Sequence, residues 1–570
     1  MRRSRRIVLD SALVSALFLM VASWFTTSLL GPRAVALLGM VTLTTLLVSR
    51  WRILSTFRPR PGAALISTLL VCGVGLALRA PAFIEPAGFV GADGSLQAIL
   101  VNVILDGPRP APVFLETSSY QGSLKAHIGA LASVFLGRDD LGLLVVVGSV
   151  VLWTIFTASL MALGRRLGGT APAVVAGLFV ALSPRFATIF SISNVGEYPD
   201  ALALGTWAMA WAAALLANGR RGFEARWSFF GIGLLLGIAL WQQPIALSFG
   251  IASLGLLSLR ALAGRDPWFL VSLLGFTLGR LPVTIHDFQA ASSNSEAVGS
   301  FLRMAGKSLP LNEHVRGTFE WAFPIVFAGL SNDSTLGVGG RIALGLSCMA
   351  LFCLFLVRAA AELKTAIKDR SWALVRVMAA TTFLAGLAFV WLVGGGGQYT
   401  RPRYFLPLLC GFALALGDIS GALWKRWPLA AVALAGSVIG WNTWSNLDRL
   451  RSGLEEGRNL RAFSEKIEGL GLRTGYSGVA VAGPLIMLTG ERVSVDGVLG
   501  STVGERLPAR HIDRVRLHGP DFYLADQDAS DRLTRRFGEL GVTYEIARAP
   551  GTLVLFHGFS RPVALSEVRE

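Results

Sequence analysis

Phe89-Val-Gly-Ala-Asp93-Gly-Ser95 opens a partly polar stretch that runs on through Tyr120-Gln-Gly-Ser-Leu-Lys125-Ala-His127 into an apolar segment ending at Gly137. An acid, two bases and aromatic residues are gathered here between apolar runs. The surrounding chain of 570 residues is mostly apolar: 53% hydrophobic and 15% charged, with mean hydropathy +0.57. A soluble domain carries about 25% charged residues. Repeated apolar runs of roughly 18 residues or more suffice to cross a bilayer as helix. The sequence therefore predicts a polytopic α-helical membrane protein, with the opening stretch as its long loop.

Working outward, apolar spans fall at 7–30, 34–49, 63–80, 141–163, 171–190, 199–217, 228–244, 246–260, 268–284, 340–357, 372–393, 404–422 and 428–444. That is about thirteen crossings. A shorter apolar piece at 319–330 has the length of a re-entrant or interfacial segment. The run after Met1-Arg-Arg-Ser-Arg-Arg6 is long for a signal peptide and lacks a small-x-small cleavage pattern, so it is expected to be retained as the first helix.

Basic residues cluster on alternate loops: Arg50/Arg52/Arg58/Arg60, Arg165/Arg166, Arg220/Arg221/Arg226, Arg260/Arg265, Arg358/Lys364/Lys368/Arg370 and Lys425/Arg426. This is the positive-inside pattern. It predicts a cytoplasmic N-terminus and puts the loop 81–140, the loops 191–198 and 285–318 and the turn 394–403 outside. The net charge of +16 is accounted for by these clusters, so no nucleic-acid partner is implied. Cys72, Cys348, Cys353 and Cys410 all sit inside apolar spans, which implies neither a disulfide framework nor a metal site.

From about 445 the composition changes to frequent charges with short apolar runs. Residues 479–482, 492–496, 522–525, 544–547 and 552–556 have strand character, and 458–469 and 528–540 have helical character. The expectation is a small extracytoplasmic α/β domain. The domain plan is then 1–62 with two N-terminal helices, 63–444 with the remaining spans and the outer loop 81–140, and 445–570 as the soluble region.

Four constellations carry chemistry. Asp93 lies between Gly91 and Gly94, which permit close backbone approach to a ligand. It is either a general base or the N-cap of a helix over 95–105 amphipathic enough to lie on the membrane surface. Glu197 and Asp200, in Glu-Tyr-Pro-Asp-Ala-Leu, open a span from the same side. The helix dipole favours acids there, yet together with Asp93 they offer a general base or a divalent-cation site. A cation is compatible with this set and not required by it.

Arg401 and Arg403 stand at an outer boundary, against the charge bias; guanidinium groups suit a phosphate, and snorkelling to headgroups is the structural alternative. Lys125 offers a second phosphate ligand, while His127 reads as an interfacial side chain. His286 and His314 lie on the same side, with a spacing that specifies no metal. In Trp241-Gln-Gln243-Pro244 the amides can bond a sugar or close a packed helix end.

The order of these motifs resembles the GT-C superfamily of membrane glycosyltransferases, in the branch of protein O-mannosyltransferases, aminoarabinose transferases and bacterial dolichyl-phosphate-mannose mannosyltransferase-like proteins. The residues that carry the resemblance are Asp93, Tyr120-Gln121-Gly122 through Phe135-Leu-Gly137, Glu197-Tyr-Pro-Asp200, Trp241-Gln-Gln-Pro244, Gly275-Phe-Thr-Leu-Gly-Arg-Leu-Pro282 and Arg403-Tyr404-Phe-Leu-Pro407. Gly94 departs from the family's usual second acid, and the first two spans are additional to its plan.

The resemblance implies sugar transfer from a polyprenyl-phosphate donor to an extracytoplasmic glycan, lipid or protein, with inversion, at the bacterial inner membrane. Asp93 would be the base and Glu197 a second catalytic acid. Arg403, Arg401 and Lys125 would hold the donor phosphate, and Tyr120, Gln121, Asp200, Gln243 and Tyr404 would contact substrate. A glycan ligase or oligosaccharyltransferase is the neighbouring reading. A transporter or lipid-glycan binder is the alternative of another class, but it would place ionisable groups at the midplane rather than at one face.

Overall fold

The structure is a computed structural model that describes residues 61–106, 122–137, 140–193, 196–218, 225–264, 266–290, 309–330, 336–369, 374–393, 399, 402–497, 507–548 and 553–568. The expected spans 7–30 and 34–49 lie outside these residues, as do Tyr120, Gln121 and Arg401.

Helices in chain order are α1 (Pro61–Ile84), α2 (Ala92–Asp106), α3 (Leu124–Leu136), α4 (Leu141–Gly168), α5 (Thr170–Ala181), α6 (Arg185–Ser193), α7 (Tyr198–Ala217), α8 (Arg226–Gln242), α9 (Leu247–Gly264) and α10 (Leu270–Ala290). There follow α11 (Leu311–Gly317), a π turn (Thr318–Ala322), α12 (Phe323–Ala328), α13 (Val338–Asp369), α14 (Val375–Val393), α15 (Leu408–Arg426) and α16 (Pro428–Gly469).

The expected count of about thirteen crossings is not what the described residues contain. Eight helices are long and apolar enough to span, or nine if the α5–α6 pair, bent by 72°, crosses as one broken span. Two expected spans are not among these eight. The helix over 228–244 is α8, only 17 residues long, and 428–444 is the first part of the 42-residue α16, whose charged second half continues past residue 445. The piece at 319–330 is the π turn with α12, closed by Gly329 at φ 64, a left-handed value that favours glycine. This multi-pass helical architecture is that of a membrane protein. Leu69, Leu70, Leu354 and Val357, all exposed on α1 and α13, are the side chains a bilayer would solvate.

The chain forms two compact units. The first comprises residues up to Leu78, Val150–Ser191 and Glu197–Asp448; the second comprises Arg79–Ser149, Ile192–Gly196 and Arg449–Glu570.

In the first unit, the tightest seam is between α8 and α10. Their glycines interlock: a Cβ at Gly233 would stand 1.9 Å from the Ser272 carbonyl oxygen, at Gly237 2.3 Å from that of Phe276, at Gly275 2.1 Å from that of Phe230 and at Gly279 2.5 Å from that of Leu234. Small residues four apart let two helix backbones touch where no hydrophobic force separates helix from lipid. The Gly275–Gly279 motif thus has a packing cause. Elsewhere in this unit Phe327 stacks on Phe412 at 4.3 Å, and Asp418 of α15 accepts hydrogen bonds from Arg358 (2.7 Å) and Arg376 (2.8 Å) while Arg376 also reaches the Leu167 carbonyl. One buried carboxylate so ties α15 to α13 and α14, and Arg376 carries the link on to α4.

The second unit holds a five-stranded sheet in the order β2-β1-β3-β5-β4, with β1 (Thr474–Tyr476), β2 (Ser494–Asp496), β3 (Phe522–Ala525), β4 (Glu545–Arg548) and β5 (Val554–His557). β1 pairs in parallel with β2 and β3, whereas β5 runs antiparallel to β3 and β4, Tyr523 facing Phe556. Helices α17 (Val479–Leu488), α18 (Ala509–His518) and α19 (Gln527–Glu539) complete the α/β region. Four of the five expected strands are present in essence. The fifth, 479–482, is instead the start of α17: the apolar run extends ten residues, long for a strand, and it forms the crossover that parallel β1 and β2 require.

A second correction concerns 95–105. It belongs to α2, and Gly94 through Val101 are all buried, so the helix is no surface amphipath. It is covered by α3 and by α17 of the α/β region. Both faces are used for packing.

Candidate active site

Asp93 is the second residue of α2, inside its first turn rather than at the N-cap, and is partly exposed. One turn on, Gln97 is fully buried and its amide donates to the Gly122 carbonyl at 3.2 Å, binding α2 to the segment that follows Tyr120 and Gln121. Lys125, in the first turn of α3, is also fully buried. Its ammonium donates to the Gly196 carbonyl at 2.6 Å. That carbonyl belongs to the peptide bond leading into Glu197. His127 sits a turn within α3, its Nδ1 2.8 Å from the Ser123 carbonyl; burial pushes its pKa down and that contact opposes the shift.

In the first unit, Glu197 occupies the N-cap position of α7 and Asp200 its first turn, with Pro199 between them. Both acids are fully buried. Pro at this position sets the backbone for helix and removes a donor that would have no partner. Tyr198, between the acids, meets Tyr404 edge-on at 6.2 Å and Phe190 at 5.4 Å. The Arg403 guanidinium lies over the Tyr404 ring, 5.3 Å from its centroid. The structure therefore brings the acidic start of α7 and the Arg403-Tyr404 turn together through a row of aromatic rings. Gln243 is buried at the end of α8 in extended backbone, just before a 3-10 turn (Pro244–Ala246) that packs on α7.

Two features were not singled out by sequence. Tyr198, the link between the two segments, lies inside a motif whose acids drew attention instead. His314 of α11 hydrogen-bonds through Nδ1 to the Tyr399 hydroxyl and stacks on Trp391. Tyr399 also packs on Phe405, so this pair braces the turn from which Arg403 projects. The aromatic density around 391–405 was the available signal. Among the described residues, no three His, Cys, Asp or Glu side chains form a metal-holding group.

No protein-family model matches the chain, and no curated protein matches it. Its fold, however, is found among solved structures. ArnT from Cupriavidus metallidurans, in a crystal structure bound to undecaprenyl phosphate, aligns with a TM-score of 0.50 at 13% identity over 86% of this chain and 97% of ArnT. The archaeal oligosaccharyltransferase AglB from Archaeoglobus fulgidus, in complex with an inhibitory peptide and a dolichol-phosphate, aligns at 0.48 and 12% identity over 88% of this chain and 75% of AglB. The ArnT likeness is one of fold.

Proposed function

We propose that this chain is a membrane glycosyltransferase that moves a sugar from a polyprenyl-phosphate donor to an extracytoplasmic acceptor: a cell-envelope glycan, a lipid or a protein. The observation that carries the reading is the shared fold, over 86% of the chain, with a transferase whose structure holds undecaprenyl phosphate. The setting is a bacterial inner membrane, with the N-terminus cytoplasmic and the C-terminal α/β region on the far side, as the loop charges imply.

In this mechanism the Asp93 carboxylate takes the proton of the acceptor hydroxyl as its oxygen attacks the anomeric carbon. The bond from that carbon to the phosphate oxygen breaks, and polyprenyl phosphate leaves with the electron pair. A single displacement inverts the anomeric centre. Arg403, with Arg401, stabilises the charge that grows on the phosphate; planar guanidinium donors suit that task. Lys125 contributes by its positive charge at the turn before Glu197, where its ammonium is already engaged. Glu197 is the second acid, and Asp200, Gln243, Tyr404, Tyr120 and Gln121 line the substrate.

The reading is tested in a strain lacking the chain by mass spectrometry of envelope glycans and polyprenyl-linked sugars. One modified envelope component should disappear while one lipid-linked sugar accumulates. An unchanged profile of both pools contradicts the proposal.

A further inference from the structure

The C-terminal α/β region touches α2 at both ends. At the N-terminal end, Gly483 of α17 lies against Ala92 and Ser95: a Cβ on Gly483 would stand 3.0 Å from the Ser95 Cβ and 3.5 Å from the Ala92 carbonyl oxygen. At the other end, the Asn102 amide donates to Glu491 Oε1 at 3.1 Å. The second Glu491 oxygen accepts from Arg510 (2.8 Å) and faces His511 Nε2 at 3.1 Å. His511, itself buried, contacts Ser494 of β2 through Nδ1, so the carboxylate is anchored to the sheet. Glu491 is also the single described non-glycine residue with a left-handed backbone, φ 65. A side chain held in that region by its surroundings is a mark of a constrained, purposeful position.

Helical spacing shows what these contacts grip. Asn102 lies about two and a half turns beyond Asp93, which puts it on the opposite face of α2, with Ser95 on that same far side and Ala92 on the flank between. Asp93's own side carries Gln97, bonded to Gly122. The two contacts are about 10–15 Å apart along the axis at 1.5 Å per residue. A helix held at one point can pivot; held at two such points, its direction and the aim of its first turn are fixed.

We infer that the C-terminal α/β region is a positioning element for Asp93: Gly483 and the Glu491 carboxylate clamp the back of α2 and so aim the acid at its substrate. Glu491 and Asn102 are positioning residues, not catalytic ones. The inference rests on the reading of Asp93 as the base.

The test uses the purified full chain, with undecaprenyl phosphate as the binding probe and, for turnover, the lipid-linked sugar isolated from a strain lacking the chain. Asn102→Asp sets two carboxylates against each other and should open the clamp. The swap Asn102→Asp with Glu491→Gln restores one amide-to-carboxylate bond in the reverse sense. Gly483→Val opens the other end.

Amide exchange in α2 should quicken about ten-fold or more in Asn102→Asp and in Gly483→Val. kcat should fall about ten- to a hundred-fold, as misplacing a catalytic group by about 1 Å does. KM and the affinity for undecaprenyl phosphate should stay within about two-fold. The swap should recover both exchange protection and kcat. Unchanged α2 exchange in the single variants overturns the inference. So does a raised acceptor KM at constant kcat, which would make the α/β region an acceptor-binding surface. Full turnover by Asp93→Asn would overturn it from the other side, by removing the base reading; a failed swap rescue with Asp93→Asn inactive overturns the positioning alone.

Discussion

Replacing Gly275 by Ala probes the glycine seam between α8 and α10. The added Cβ would lie 2.1 Å from the Phe230 carbonyl oxygen and 3.0 Å from the Leu234 backbone nitrogen, neither of which is a side chain that can swing aside. Carbon and oxygen rest at about 3.3 Å or more in the closest helix–helix contacts, so α8 and α10 must part by about 1 Å. A gap of that size forfeits about a quarter to a half of the dispersion energy of the atoms facing across it. Overpacking of this kind costs about 1–3 kcal/mol, and the rigid backbone partner places Gly275→Ala near 2 kcal/mol. Gly255→Ala is the matched control: it too is a glycine within a membrane helix, but a Cβ there meets nothing within 4 Å. Alanine at an open helical site is neutral or stabilising by up to about 1 kcal/mol. Equilibrium unfolding of the two variants in lipid–detergent mixtures should separate them by about 2–3 kcal/mol. Equal stabilities would refute the interlocking-glycine explanation of the motif.

Three further outcomes are expected. Asp418→Leu leaves the Arg358 and Arg376 guanidinium groups without their shared carboxylate and should destabilise the first unit by about 1–3 kcal/mol, read as loss of folded yield and of Tm; an unaltered Tm would show that water serves those groups equally well. Burial raises the Glu491 pKa, but bonds with His511, Arg510 and Asn102 more than offset this and hold it down to about 2, from a usual 4.5. Because the folded value is the lower one, its stabilisation is complete above pH 4.5 and is lost as pH falls towards 2; α/β-region stability should decline across that window, and Glu491→Gln should flatten this part of the curve. Arg403→Ala should weaken undecaprenyl phosphate binding by about ten-fold or more, with Arg403→Lys only partly restoring it because an ammonium cannot match the planar fork; equal affinities would remove Arg403 from the phosphate site.

The multi-pass helical class was legible because it depends on local pattern: repeated apolar runs long enough to cross a bilayer. Strands β2 to β5 were legible for the same reason. What the pattern concealed depends on partners distant in sequence. Residues 479–482 alternate poorly and carry too few neighbours to distinguish strand from helix; the parallel pairing of β1 with β2 decides for helix. The stretch 95–105 has polar residues at helical spacing, yet Gln97 and Asn102 are polar because Gly122 and Glu491 await them, and the latter lies almost four hundred residues away. Asp93 was legible as a suspicious acid between glycines at a helix start, but the helix begins earlier than expected and holds it in the first turn rather than at the cap. Its support from the α/β region was not legible. Likewise Glu197, Asp200 and Arg403 were each visible, but the ring contact of Tyr198 with Tyr404 that joins them required the fold.

The central claim is that Asp93 is the base for transfer from a lipid-linked donor, and Asp93→Asn tests it most directly. The amide keeps the size of the side chain and removes only its ability to take a proton. With the purified chain and the lipid-linked sugar as donor, turnover should fall by about a hundred- to ten-thousand-fold, while undecaprenyl phosphate binds as tightly as to the unaltered protein. Turnover at the unaltered rate would contradict the account.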